Sequence, residues 1–155
     1  MELEVKVNDL EETKAVAETL ARVITPGTVI LLYGNLGAGK TTFTQYLGPS
    51  LGVKRRMSSP TFNIIKSYQG KFMIHHLDCY RLEGSGEDLG FDEYFNGSDV
   101  CIIEWPQFIE EFLPDDCMSV NIRNDLDDSR IFTFTSYGEY YESQLEDFKN
   151  DISSD

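Results

Sequence analysis

The stretch Gly34-Asn35-Leu36-Gly37-Ala38-Gly39-Lys40-Thr41 decides the fold, because it fits the pattern G-x-x-x-x-G-K-[ST] of a phosphate-binding loop. An unbroken apolar run, Val29 to Tyr33, precedes it and predicts a strand buried on both faces. The residues after it continue as a helix, with Phe43 and Leu47 spaced four apart on one face. Strand, glycine-rich loop and helix follow in the order that the motif requires. The flanks therefore favour this interpretation over an ordinary glycine-rich turn before a helix.

The residue types of this loop suit an anion. Glycines let successive backbone N–H groups turn inward around phosphate oxygens, and the helix N-terminus adds partial positive charge. The Lys40 ammonium would reach the β- and γ-phosphates of a nucleotide, and the Thr41 hydroxyl would bind Mg²⁺. The loop thus predicts a nucleotide phosphate site.

Charge and composition limit what else the chain does. It has 155 residues, with 13 Lys plus Arg against 27 Asp plus Glu, for a net charge of −14. Such a field repels nucleic acid and anionic membranes, so direct RNA or DNA binding is disfavoured. No apolar run has the length of a membrane span, and the three cysteines lack metal-ligand spacing. We expect a cytoplasmic protein with buried free thiols.

The remaining pattern predicts a single α/β domain over residues 1–155. A tight connection at Gln69-Gly70 joins two predicted strands, 62–68 and 71–77, in an antiparallel hairpin, so the sheet is mixed. Gly48-Pro49 and Gly52 are expected to break the structure after the loop helix, and residues 89–95 to form a short amphipathic helix. The last stretch, 137–155, is acidic and predicts a docked helix or tail.

Two carboxylates follow apolar runs and complete the predicted site. Asp78 ends one run, and Glu104 ends another. In parallel sheets, functional groups lie at the carboxyl ends of strands, around the mouth of such a loop. Either carboxylate could hold Mg²⁺ while the other orients an attacking water, and the alternative is a pair of solvated acids. The adjacent His75 and His76 point to opposite faces of a strand, so packing or surface roles are favoured for both.

Further signals concern the nucleotide. Trp105, the sole tryptophan, could stack on a base, form a partner contact or pack in the core. The turn Ser59-Pro60-Thr61 is similar to a switch loop that senses the γ-phosphate. The sequence has no Asn-Lys-x-Asp guanine motif, which favours ATP over GTP. Thr13, early in the first predicted helix, is expected to face solvent.

Four motifs together resemble the TsaE (YjeE) family: the loop Gly34 to Thr42, Ser59-Pro60-Thr61-Phe62, His76-Leu77-Asp78-Cys79-Tyr80-Arg81 and Ile103-Glu104-Trp105-Pro106. The resemblance implies a bacterial ATPase with a P-loop NTPase-like mixed β-sheet, in which a parallel core and an antiparallel hairpin are flanked by helices. It implies a role in the N6-threonylcarbamoyladenosine at position 37 of tRNA. The partner would be a TsaB–TsaD heterodimer, which would handle the tRNA and stimulate weak ATP turnover.

The resemblance also assigns residues. Lys40 and Asp78 would be catalytic, and Thr41 and Glu104 would bind Mg²⁺. The ATP contacts would be Thr13, Asn35, Leu36, Gly37, Ala38, Gly39, Lys40, Thr41, Thr42, Trp105 and Arg130. Two other functions stay open: a small-molecule kinase that holds its acceptor with Asp78 and Arg81, and a nucleotide-binding adaptor without catalysis.

Overall fold

The computed structural model describes residues 1–58, 60 and 64–153. Its helices are α1 (Leu10–Ala21), α2 (Lys40–Ser50) and α3 (Glu139–Ser153). Its strands are β1 (Glu2–Val7), β2 (Val29–Tyr33), β3 (Ile65–Gln69), β4 (Met73–Asp78), β5 (Val100–Glu104), β6 (Cys117–Asn124) and β7 (Arg130–Tyr137). The strands form one sheet in the order β1-β7-β6-β2-β5-β4-β3.

The centre of the sheet is parallel and its edges are antiparallel. Strand β2 pairs in parallel with β5 and β6, and β4 pairs in parallel with β5. The hairpin β3–β4 is antiparallel, as are the pairs β6–β7 and β1–β7. This confirms the predicted mixed sheet. The second hairpin strand begins at Met73, two residues later than predicted, and Phe62 of the first lies outside the described residues.

Strand β2 is apolar throughout because both of its faces are covered. Ile30 and Leu32 belong to the core beneath the three helices, whereas Val29 and Leu31 belong to a second core on the other face. All four side chains are at most 4% exposed. The loop-bearing strand is thus held rigidly at the middle of the sheet.

Helix α1 begins with a side-chain cap. The Asp9 carboxylate accepts a hydrogen bond from the Glu12 N–H at 2.9 Å, and the Glu12 carboxylate accepts from the Asn8 N–H at 3.2 Å. The expectation that Thr13 faces solvent is wrong, because this residue is only 3% exposed. Its hydroxyl donates to the Asp9 carbonyl, which satisfies the buried group within the first turn.

The predicted break at Gly48-Pro49 is also wrong, since α2 continues to Ser50. Pro49 has no N–H to donate to the Gln45 carbonyl, so the helix passes through this position with one backbone hydrogen bond fewer and ends one residue later. Gly48 has a packing reason, since a Cβ at this position would collide with the Met57 side chain. The chain then turns at Leu51 and Gly52, in agreement with the break predicted at Gly52.

The predicted helix at 89–95 is reduced to one 3₁₀ turn, Phe91–Glu93. Phe91 is fully buried, but Leu89 is 41% exposed, so only part of the apolar pattern packs. A longer 3₁₀ segment, Pro106–Phe112, follows β5; it begins with proline and is interrupted by non-helical backbone at Ile109.

Helix α3 packs on the sheet and is part of the core. Phe148 is fully buried, with its ring centroid 4.7 Å from that of Phe134 in β7. The buried Tyr141 hydroxyl accepts a hydrogen bond from the Val29 N–H at 2.9 Å and donates to the Gly27 carbonyl at 3.3 Å. The acidic C-terminal stretch therefore anchors the start of the loop-bearing strand. No described helix is long and apolar enough to cross a membrane.

Candidate functional site

The site is formed where β2, β5 and β4 end side by side. Leu32 in β2 is the register partner of Glu104 in β5, and Glu104 is the register partner of Asp78 in β4. The glycine-rich loop leaves β2 at the same edge and leads into α2. Parallel strands bring their carboxyl ends to one edge of a sheet, so the two carboxylates face the loop.

Lys40 is the first residue of α2 and folds back toward the loop. Its ammonium donates to the Gly34 carbonyl and to the Asn35 carbonyl, the latter at 3.2 Å. It also lies 4.0 Å from the centroid of the Trp105 ring, in a cation–π contact. Burial lowers the Lys40 pKa, while the charges of Glu104 and Asp78 act in the opposite direction. The loop itself turns through glycines in the left-handed region, with φ of 80° at Gly37 and 109° at Gly39.

Trp105 has a strained backbone. Its φ of 57° and ψ of 48° lie in the left-handed region, which bulky residues rarely adopt. The turn ends β5 directly after Glu104 and brings the indole against Lys40. The ring stacks on Phe108 at 5.7 Å and contacts Tyr80 at 5.0 Å, between ring centroids. Trp105 and Tyr80 line one side of the site, and Phe108 packs against the indole.

Of the two carboxylates, that of Glu104 is more deeply buried and has more hydrogen-bond contacts. It is 2% exposed and accepts hydrogen bonds from the Thr41 hydroxyl, at 3.0 Å to Oε1 and 3.2 Å to Oε2. The His76 Nε2 lies 2.6 Å from Glu104 Oε2. The preference for a packing or surface role at His76 misses this contact, because strand alternation gives no information about a neighbouring strand.

Asp78 is half-buried and accepts a hydrogen bond from the Tyr80 N–H at 3.1 Å. Burial raises the pKa of its carboxyl, and the charge of Glu104 adds to the rise. The Tyr80 hydrogen bond and the charges of His76 and Lys40 act in the opposite direction. Asp78 is therefore a more basic carboxylate than a solvated aspartate, which suits a group that accepts a proton or a hydrogen bond from water.

The predicted residues border one open cavity of about 370 Å³. Its lining consists of Leu36, Gly37, Ala38, Gly39, Lys40, Thr41, Thr42, Asp78, Tyr80, Glu104, Trp105 and Arg130. All of these except Tyr80 are predicted site residues. The sequence thus identifies almost the whole lining, and the strand ends explain why distant residues meet there.

Two predicted contacts lie outside this lining. Asn35 offers its backbone carbonyl to Lys40 and borders a different cavity on the other side of the loop. Thr13 borders a smaller cavity of about 130 Å³, together with Val7, Asp9, Leu10, Asp128 and Arg130. Arg130 borders both this cavity and the larger one, and its guanidinium approaches Gly39 of the loop. Thr13 is therefore connected to the main cavity through Arg130.

The donor set fits magnesium. A hydroxyl and a carboxylate lie in contact at Thr41 and Glu104, and Mg²⁺ prefers few protein oxygens together with phosphate and water ligands. The described residues contain no cluster of three or more His, Cys, Asp or Glu side chains that would favour a protein-caged metal. The loop glycines, Lys40 and Arg130 offer positive groups to an anion in the same cavity.

The predictions for the Ser59-Pro60-Thr61 turn and for Arg81 have different outcomes. Ser59 and Thr61 of the predicted switch turn lie outside the described residues, so that prediction stays untested. The cavity lining, as far as the described residues show it, does not include Arg81. Tyr80 is 46% exposed at the cavity wall, and sequence reasoning missed its position there.

Fold and site together define a protein of the P-loop NTPase-like α/β class. Residues 7–132 match the family described as Threonylcarbamoyl adenosine biosynthesis protein TsaE. The chain belongs to this family, and the resemblance seen in the sequence is confirmed.

The relatives cover most of the chain. The tRNA threonylcarbamoyladenosine biosynthesis protein TsaE of Bacillus subtilis is 49% identical over 138 residues, which are 88% of this chain and 87% of that protein. The protein of the same name in Treponema pallidum is 33% identical and covers 79% of this chain and 93% of its own. The crystal structure of Bacillus subtilis YdiB is similar with a TM-score of 0.86 and 40% identity, covering 98% of this chain and 97% of that one.

Proposed function

We propose that this chain is a magnesium-dependent ATPase that acts in the formation of N6-threonylcarbamoyladenosine at position 37 of tRNA. Its family membership supports the pathway. The observation that carries the enzymatic part is the meeting of Lys40, Thr41, Asp78 and Glu104 in one cavity beside the glycine-rich loop. ATP is the proposed substrate, and Mg²⁺ is the proposed cofactor.

The side chains divide the work of binding. The Lys40 ammonium, which donates to the Gly34 and Asn35 carbonyls, would turn one or more of its three N–H donors to phosphate oxygens, and the loop N–H groups would bind the other phosphate oxygens. Arg130 approaches Gly39 and is placed to add a second cation. Thr41 and Glu104 would hold Mg²⁺, which when bound supplies Lewis-acid neutralisation of the phosphates.

Asp78 is the proposed group that orients the attacking water. Its carboxyl lies in the same cavity as Lys40 and Glu104, and its raised pKa strengthens it as a hydrogen-bond acceptor. Accepting the water O–H would direct the oxygen lone pair at the phosphoryl group. The Trp105 and Tyr80 rings line one side of the cavity and would limit the access of water there.

The net charge of the chain supports the proposal that protein partners, and not this chain, bind the tRNA. A chain at −14 repels tRNA, so we propose that a TsaB–TsaD heterodimer handles the tRNA and the transferred group. This chain would then couple ATP hydrolysis to that complex, with weak turnover alone and faster turnover in its presence.

The test measures ATP turnover and tRNA modification side by side, with the chain alone and with TsaB–TsaD. We expect release of free phosphate to rise with the partner pair, and Lys40→Ala to lose ATP binding and modification together. Loss of ATP binding in Lys40→Ala with full tRNA modification would overturn the proposal.

The same experiment separates the other two functions. Labelled phosphate that appears in a metabolite, in place of free phosphate, would support a kinase. An Asp78→Ala chain that binds ATP, hydrolyses none and still supports full modification would support an adaptor. Lys54→Ala is a matched control, because Lys54 is exposed and lies outside the cavity lining among the described residues.

A further inference from the structure

His76 is a buried histidine whose ring makes a hydrogen bond with the Glu104 carboxylate. The residue is 1% exposed and lies on β4, two positions before Asp78. Its Nε2 lies 2.6 Å from Glu104 Oε2, a short distance for such a pair. Because a carboxylate oxygen only accepts, Nε2 carries the hydrogen and donates it to Glu104.

The other ring nitrogen makes the role specific. His76 Nδ1 is buried and has no hydrogen-bond partner among the described residues. An unsatisfied buried nitrogen costs about 1–3 kcal/mol, which an apolar side chain of similar size would avoid. The hydrogen bond to Glu104 is therefore the contact that a histidine makes here and an apolar side chain of similar size would not.

Glu104 in turn needs an orienting contact. Its Oε1 lies 3.0 Å from the Thr41 hydroxyl oxygen, whereas Oε2 lies 3.2 Å from that oxygen and 2.6 Å from His76 Nε2. A glutamate has three side-chain torsions, and the last one is broad, so the carboxylate plane is not fixed by its rotamer alone. The His76 hydrogen bond holds Oε2 toward β4, which leaves Oε1 as the nearer acceptor for the Thr41 hydroxyl.

We propose that His76 is a positioning residue, which holds the Glu104 carboxylate in the orientation that Thr41 and a bound divalent cation require. This inference rests on the proposed function, because it presupposes a metal-nucleotide complex at Thr41 and Glu104. Hydrogen bonds of this kind behind metal ligands contribute about 10–100-fold to metal affinity. His76 does not line the cavity itself, as far as the described residues show it, so its effect passes through Glu104.

The chain offers a matched control in the adjacent residue. His75 is 6% exposed and points to the opposite face of β4, where its ring bonds Ser67 Oγ at 2.7 Å and Asp99 Oδ2 at 2.8 Å. Replacing it by leucine removes two hydrogen bonds but leaves Glu104 untouched. A loss of stability without a loss of cation affinity is therefore what a structural histidine would show.

The test titrates Mg²⁺, and separately Mn²⁺, into each variant at fixed ATP. Bound Mn²⁺ is counted by electron paramagnetic resonance, and Trp105 fluorescence reports ATP binding with and without cation. We expect His76→Leu to raise the cation midpoint by about 10–100-fold. ATP binding without cation should be unchanged. His76→Gln, which retains an N–H donor, should recover part of the loss. His75→Leu should leave the midpoint unchanged while lowering Tm.

Two results would overturn the assignment. An unchanged cation midpoint in a folded His76→Leu protein would make His76 a packing residue. Equal midpoint shifts in His75→Leu and His76→Leu would make the effect one of general stability. If His76→Leu does not fold, His76→Gln decides, because full loss of cation affinity there excludes the donor role. Failure of the proposed function gives a different result: a wild-type chain that shows no cation-dependent ATP binding would overturn the metal-nucleotide site itself, whereas an unchanged midpoint in His76→Leu overturns only the role of His76.

Discussion

Asp78 and Glu104 are register partners at the ends of two neighbouring parallel strands, so their carboxylates share one edge of the sheet. The charge of Glu104 adds to the burial that raises the Asp78 pKa, and Lys40 acts against both. The same pairing places Glu104 against Thr41 and leaves Asp78 free to face the cavity. The strand register therefore brings the proposed metal ligand, Glu104, and the proposed water-orienting group, Asp78, to neighbouring positions with different contacts.

The first prediction concerns stability. Burial raises the Asp78 pKa above its unfolded value, so this group favours folding at low pH and disfavours it as pH rises through the raised value. Asp78→Asn removes the buried charge and can still accept from the Tyr80 N–H. We expect a higher Tm at pH 7, by about 2–4 °C for each kcal/mol regained. The gain should shrink near pH 4 in calorimetry, and a lower Tm at pH 7 would contradict it.

The second prediction concerns turnover in the same variant. An amide is a much weaker acceptor for a water O–H than a carboxylate of raised pKa. Asp78→Asn should therefore lower the ATP turnover number by about 10²–10⁴-fold. ATP affinity should change little, because Lys40 and the loop are intact. Single-turnover kinetics separate the two quantities, and wild-type turnover in this variant would exclude Asp78 from the chemistry.

The third prediction uses the sole tryptophan as a reporter. The Lys40 ammonium lies 4.0 Å from the Trp105 ring centroid and donates to the Gly34 and Asn35 carbonyls, so a phosphate that draws it away from them would also shift it relative to the ring. We expect ATP to change Trp105 emission in a saturable titration. Lys40→Ala should alter the emission of the free chain and weaken ATP binding by at least about 100-fold, the loss of charge-assisted bonds. An unchanged titration in Lys40→Ala would contradict this.

The fourth prediction concerns the C-terminal helix. Tyr141→Phe leaves the Val29 N–H without its acceptor in a buried site, which should lower the free energy of unfolding by about 1–3 kcal/mol. Tyr140→Phe is the control, since that side chain is 51% exposed and its loss should stay within about 0.5 kcal/mol. Urea unfolding measures both. Equal effects would mean that the tyrosine hydroxyl does not anchor β2.

The fifth prediction concerns the thiols. Burial raises the pKa of Cys79 and Cys101 to about 12 and that of Cys117 to about 11. Native protein should therefore react very slowly with a thiol reagent at pH 8, because thiolate is the reactive form. In denaturant, all three cysteines of the chain should react within minutes. Rapid reaction of even one thiol in the native state would place it outside the core.

Some structure follows directly from local pattern. The loop motif and the apolar run before it predict β2 and the start of α2, because glycine spacing and continuous hydrophobicity act over a few residues. The Asp9–Glu12 cap is equally local. The sequence did not predict the end of α2, because Gly48 makes room for the Met57 side chain and does not mark a turn. The burial of Thr13 was not predicted, because it depends on the parts of the chain that pack against α1.

The sequence alone determined the phosphate loop, the mixed sheet, and the carboxylates Asp78 and Glu104 as candidates, since each depends on residue type and short spacing. Only the tertiary structure decided that the two are register partners, that Glu104 contacts Thr41, and that His76 donates to Glu104. These contacts join strands that are distant in the chain. Strand order and register arise from burying both faces of β2 and β5, which no local pattern encodes.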